Sequence, residues 1–174
     1  MKNVIKKIIH PITMFHWSVD ALFAFPRIIC GYFLAVNFGG SKFGVPWSPE
    51  GSPDLAFLEV VEWFPKDIAE YGGLFAMFPV FFAWMGAASE AIGGVFLLLG
   101  FKTRIASFFI MCTMLVAIIF QKWDNGLWAM LPAMGFLWIA IYNLILGSGR
   151  FGIDYVITKK WLPKTNHNII KNLI

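Results

Sequence analysis

The sequence predicts an all-α membrane protein, a bundle of four transmembrane helices with one long outer loop that carries a short interfacial helix. Three observations predict it. Hydrophobic residues make up 59% of the 174 residues and charged residues only 14%, against about 25% charged in a soluble domain. The mean hydropathy is +0.70. Four apolar stretches approach the roughly 20 residues that a helix needs to cross a bilayer core. So short a chain leaves room for one bundle, and a single membrane domain over residues 1–174 follows.

The amino-terminal flank carries Lys2, Lys6 and Lys7. It lacks a small-residue cleavage site before a polar mature region, so it reads as the basic flank of a retained first helix. Span one is expected at 19–38, span two at 74–101, span three at 104–120 and span four at 127–146. Span two is overlong and is expected to tilt, or to begin in earnest after Pro79. Gly100-Phe101-Lys102-Thr103 and the stretch from Gln121 to Gly126 make short turns, so spans two to four run antiparallel to their neighbours.

The loop at 39–73 is the one connection long enough to build something. It is acidic, with Glu50, Asp54, Glu59, Glu62, Asp67 and Glu70, yet it also carries Leu55, Phe57, Leu58, Val60, Val61, Trp63 and Phe64. Ser52-Pro53-Asp54 has the pattern of a helix start, a cap followed by a first-turn proline and an acid. A helix from Pro53 to Phe64 is expected, and then a turn from Pro65 stopped by Gly72-Gly73. The apolar residues require the loop to lie at the membrane boundary or across the bundle mouth, as a cap, a lid or a docking face for a periplasmic partner.

Basic residues set the orientation. Lys2, Lys6, Lys7, Lys102, Arg104, Arg150, Lys159, Lys160, Lys164 and Lys171 fall on one side, and only Lys42, Lys66 and Lys122 on the other. The excess of lysine and arginine marks the cytoplasmic side, so both termini and the tail at 147–174 are expected there. The net charge of +4 is therefore a topology signal. No basic run is interleaved with aromatics in a polar segment, so nucleic acid is not an expected partner. Trp47, Trp63, Trp123, Trp128, Trp17 and Trp161 lie near span ends, at the headgroup level that indoles prefer, while Trp84 and Trp138 lie deeper and are expected to pack or line a cavity.

Arg27 and Glu90 are the ionisable residues set well inside spans. A charge at the bilayer centre costs at least ~2.5–3.5 kcal/mol. Counting at 1.5 Å per residue puts Arg27 roughly 12 Å and Glu90 roughly 15 Å from the inner boundary, so the two are expected to meet. Gly86, Ala87, Gly93, Gly94 and Ala83 surround Glu90 at helical spacing and permit close approach of a neighbour. Pro26 bends span one beside Arg27. The pair is either a salt bridge fixing register or a polar site for a quinone carbonyl, a proton or a small acid, with Asn143, Tyr142, Tyr32 and Asn37 as auxiliary donors.

Other chemistry has less support. His10, His16 and His167 lack metal-ligand spacing, so no metal or haem site is expected. Cys30 and Cys112 fall in apolar stretches with no C-x-x-C and read as small hydrophobes. No catalytic triad, phosphate loop or dinucleotide fingerprint is present, and catalytic residues are not identifiable.

These residues do form a pattern. Arg27, Gly39-Gly40-Ser41-Lys42, Glu90-Ala91-Ile92-Gly93-Gly94 and Leu99-Gly100-Phe101-Lys102-Thr103-Arg104 together resemble the DoxX family of bacterial membrane proteins. Gly147-Ser148-Gly149-Arg150-Phe151-Gly152-Ile153-Asp154 resembles that family's closing motif, with Gly152 where a serine is usual. The likeness runs from about residue 19 to 156, and the outer loop is larger than in minimal members. Lys42, Gly93, Gly94, Thr103, Arg104 and Asp154 are the motif positions. The resemblance implies a four-helix protein of the bacterial inner membrane with a link to respiratory or redox chemistry. Members are described as subunits of quinol oxidase or thiosulfate:quinone oxidoreductase systems, or in responses to quinones and thiol stress.

The expectation is thus a redox-associated accessory protein that binds a quinone, or a similar lipid-soluble molecule, near Arg27 and Glu90. No covalently bound cofactor is expected. The alternatives are a non-catalytic structural subunit of a larger membrane complex and a small-molecule carrier component, the latter with no internal repeat to support it.

Overall fold

The computed structural model describes residues 11–161, and the four expected spans are present. Helix α1 (Trp17–Phe33) continues as a π-helical segment, Leu34–Gly39, to complete span one. In the long loop lie α2 (Trp63–Glu70) and α3 (Gly73–Met77). Span two is α4 (Pro79–Leu99). Span three is α5 (Thr103–Val116), a second π segment (Ala117–Lys122) and a 3-10 turn (Trp123–Asn125). Span four is α6 (Leu127–Leu146), followed by a 3-10 turn (Gly149–Phe151) and α7 (Ile153–Trp161). His10, His167, the amino-terminal lysines, Lys164, Lys171 and the Trp161 side chain lie outside the described residues.

Two span boundaries move for local reasons. The stretch from Leu74 is not the start of span two, because Phe78 (φ −134°, ψ 54°) breaks the helix. Pro79 then opens α4 in the first turn, where its missing N–H costs nothing. Span three runs past Phe120 to Asn125, since only Gly126 takes the positive φ (81°) that reverses the chain.

The expected helix from Pro53 to Phe64 does not form. That stretch is irregular, with a turn at Phe57-Leu58, and pairs with the chain just after span one: Gly44 N–H donates to Glu59 O (2.8 Å), Leu58 N–H to Gly44 O (2.8 Å) and Val61 N–H to Lys42 O (3.0 Å). Phe43 and Val60 form an isolated antiparallel bridge. These backbone pairs replace those of a helix and turn Val61 inward, so tertiary pairing outweighs the cap signal at Ser52. The loop's helix begins ten residues later, at Trp63, and buries Phe64 and Ile68.

Small residues fix how the elements approach. At the loop end, Phe43, Val45, Val61, Phe64 and Ile68 pack on an alanine face of α4 formed by Ala83, Ala87 and Ala91. The loop therefore sinks alongside span two. At the other end, Gly31 and Gly94 bring spans one and two into backbone contact, and a Cβ on Gly31 would lie 2.6 Å from Leu98 N. A second core joins Leu34, Leu97, Ile110, Met114, Ala133, Phe136 and Ala140 across the spans. Most of the remaining large apolar side chains face outward, as lipid contact requires. Trp138, expected to pack or line a cavity, is among them at 65% exposed; no helix among the described residues covers it.

Candidate functional site

The structure separates Arg27 from Glu90. Arg27 is 1% exposed and donates only to backbone carbonyls: Nη1 to Leu97 O (2.5 Å) and Leu98 O (3.3 Å), Nη2 to Phe151 O (2.8 Å). It thereby caps the end of α4, where carbonyls lack intrahelical partners and a cation is favoured. Glu90 is seven residues up the same helix, about 10 Å away along its axis. The equal-depth expectation fails because spans one and two are not level. Span one ends at Gly39 against Ala91, so its middle lies opposite the end of span two.

The partner of Glu90 is Lys42. Its Nζ lies 2.5 Å from Glu90 Oε2, with both side chains largely buried. Lys42 is placed by the turn that leaves the π segment, where its N–H donates to Gly39 O (3.0 Å), and by the pairing of its carbonyl with Val61. The ammonium also sits 4.8 Å from the centre of the Phe64 ring, a favourable cation–π approach. Apart from Lys42, Glu90 Oε2 has no hydrogen-bond partner among the described residues. A buried carboxylate is normally satisfied by several donors. An ammonium has three protons to donate, and Lys42 meets one carboxylate oxygen and one ring. The pair therefore has polar capacity left over.

That capacity faces a cavity of about 200 Å³. Lys42 and Glu90 share it with Phe64, Ile68, Tyr71 and Phe75 from the loop, with Phe82, Met85 and Gly86 of α4, and with Thr113, Val116 and Gln121 of span three. Thr113 Oγ1 also shares a 2.6 Å hydrogen bond with Ser89 Oγ. The π segment of span three supplies part of the wall, and that of span one ends three residues before Lys42. Such widened turns recur at functional positions because they displace side chains from the regular register. Tyr71, at the loop end and outside the spans, has its phenol pushed up to about 12 by burial first and then by the neighbouring carboxylates of Asp67 and Glu70.

The other candidate donors gather elsewhere. Arg27, Tyr142 and Asn143 line a void of about 10 Å³ together with Asp20 and Ser148, room for about one water molecule. Asn143 Nδ2 donates to Ile139 O (2.8 Å) within its own helix. Tyr32 is half exposed, on the outside of the bundle. The structure thus brings together three of the four principal candidates, without Glu90, around a space too small for a ring.

The basic end is closed by carboxylates. Asp154 Oδ1 accepts from Lys102 N–H (2.8 Å), and its Oδ2 from Thr103 N–H (2.9 Å) and Thr103 Oγ1 (3.0 Å). This caps α5 and ties the closing motif to the turn after span two. Arg104 Nη2 reaches Ile145 O (3.0 Å). Asp20, which the sequence places only at a span edge, is 3% exposed; its Oδ2 lies 3.0 Å from Arg150 Nε, and Arg150 Nη2 donates to Met14 O (2.7 Å). Gly152 has no room for the usual serine, because its Cβ position is filled by Ser148 and Gly100 O. The signal for Lys42 was present in the sequence, a lysine flanked by Gly39-Gly40 and Phe43 just beyond an apolar span, but nothing in the spacing joined it to Glu90.

A family model described as DoxX matches residues 22–123, which takes in most of spans one and three, all of span two, the long loop and the whole of the Lys42–Glu90 cavity. Span four and the closing motif lie beyond the matched stretch. No curated protein and no solved structure matches the chain.

Proposed function

Because the chain belongs to the DoxX family, we propose that it is a redox-associated accessory protein of the bacterial inner membrane that binds a quinone, or a similar lipid-soluble molecule, at the Lys42–Glu90 cavity. The observation that carries this reading is the under-partnered ion pair at an apolar cavity of about 200 Å³. Larger pockets of about 300–1,000 Å³ take whole drug-sized ligands; this one suits a single ring with a polar substituent. Lys42 donates to a carbonyl oxygen, and Glu90 holds the ammonium in place and accepts a proton. Phe64 and Phe82 offer ring faces. A quinone, when bound, supplies reversible two-electron and two-proton chemistry, and the protein supplies its position. The excess of basic residues around the termini supports a cytoplasmic location for both.

A second reading, a non-catalytic subunit of a larger membrane complex, draws on span four. Only 11% of its apolar window is buried, the least of the four spans, which leaves a face available to another membrane helix. Purification in mild detergent, with mass spectrometry of both extractable quinones and copurifying proteins, tests the two together. A quinone near stoichiometric with the wild type and lost in Lys42→Met supports the binding reading. Stoichiometric large subunits without a small molecule support the second, and a lone protein free of quinone contradicts both.

A further inference from the structure

We infer that the Lys42–Glu90 cavity is loaded sideways from the bilayer, through an opening between spans two and three beside Cys112, and not from water at the loop end. The inference concerns the site of the proposed function and narrows its ligand to an uncharged amphiphile dissolved in the membrane, with an apolar body and one hydrogen-bond acceptor at its head.

Three observations carry it. First, Cys112 lines the cavity and is also exposed on the outside of the bundle. It stands nine residues into span three, about 14 Å from that span's start, a depth at which the outside is hydrocarbon. Ile105, Phe109, Leu115 and Ile119 are exposed at helical spacing around it, so the cavity opens onto a lipid-facing stripe. Second, span two puts no side chain into the cavity at Gly86, where a Cβ would make only ordinary contacts, with the Phe64 ring at 3.5 Å and the Thr113 methyl at 3.9 Å. Third, aromatic rings cross the loop end. Tyr71 stacks on Phe120 at 5.5 Å and 24°, and Phe75 contacts Phe120 at 5.3 Å and Phe82 at 4.8 Å. This seam joins the loop helices to spans two and three above the ion pair.

The chemistry of the site agrees with that route. A charged ligand would cross hydrocarbon only at high cost to reach it. A neutral acceptor crosses at little cost, and it finds the donors that Lys42 has to spare.

The test reads access directly and needs no ligand. A reporter, Gly86→Cys, is placed in a chain carrying Cys30→Ser and Cys112→Ser and reconstituted into phosphatidylcholine liposomes, with reagent on both faces. Lipid-soluble N-phenylmaleimide should modify it at least about tenfold faster than a sulfonated, water-confined maleimide, because a charge partitions poorly into hydrocarbon. Cys112→Trp in place of Cys112→Ser should slow N-phenylmaleimide about tenfold, whereas Gln121→Trp at the loop end should leave the rate unchanged. Equal rates for the two reagents, or a block by Gln121→Trp and not by Cys112→Trp, would overturn the lateral route. Thr113→Cys serves as reporter if Gly86→Cys does not fold. If the labelling pattern holds while no quinone binds, the quinone reading falls and the route stands.

Discussion

Lys42 and Glu90 are 48 positions apart in the chain, yet the ammonium of one lies 2.5 Å from the carboxylate of the other beside a cavity between spans two and three. The loop makes this possible by packing along the alanine face of span two. The charged interior of the protein is consequently divided. The Lys42–Glu90 pair has donors and acceptors to spare, and the Arg27 guanidinium is committed to carbonyls of the backbone.

Removing one member of the pair strands the other. Lys42→Met or Glu90→Met alone should destabilise the protein by about 3–5 kcal/mol, and the double replacement should restore most of it. Unfolding in mixed micelles, read as a double-mutant cycle, measures the coupling. Additive losses would show that the two side chains do not depend on each other.

Asp154→Asn should cost on the order of 3 kcal/mol, because it replaces a buried acceptor of three hydrogen bonds with a group that is itself partly a donor. Thr103→Val removes one of those bonds and should cost about 1 kcal/mol. Thermal unfolding of the two variants checks the ratio.

Adjacent glycines should respond differently to the same change. A Cβ on Gly94 would lie 2.5 Å from Ala35 N, whereas on Gly93 it would meet Ile110 Cγ1 at 3.4 Å. Gly94→Ala should therefore push span one away and cost about 1–3 kcal/mol, and Gly93→Ala should be close to neutral. A melting-temperature comparison decides it; equal losses would mean that spans one and two do not touch at Gly94.

Tyr71 gives a pH signature outside the spans. Its phenol titrates at about 12, above the ordinary value near 10. A raised acid pKa means that the folded state holds its proton longer than the unfolded chain does. The associated stability is present below pH ~10 and is lost as pH rises toward 12. Ultraviolet titration of phenolate should show a late step that Tyr71→Phe removes.

Much of this architecture was legible in the sequence because lipid leaves few options. Backbone groups in hydrocarbon must bond within the helix, so apolar length alone identifies the spans. The turns were legible from Gly100 and Gly126. Depth was not: counting from span ends assumes that the ends are level, and the sinking of span one's end against Ala91 shifts Arg27 to the end of span two. Nor was the loop. The Ser52-Pro53-Asp54 start signal is local and worth little, and the pairing of Leu58, Glu59 and Val61 with Lys42 and Gly44 depends on contacts the sequence does not display. The role of Asp20 was not legible either, because burial at a span edge depends on Arg150 returning from the far end of the chain.

The most direct test is binding of decylubiquinone to the protein in lipid nanodiscs, measured for the wild type, Lys42→Met/Glu90→Met and Arg27→Lys at equal folded fraction. The account predicts saturable binding to the wild type near one molecule per chain, retained in Arg27→Lys and lost in the Lys42–Glu90 double variant. Binding that survives the double replacement, or that disappears with Arg27→Lys alone, would contradict it.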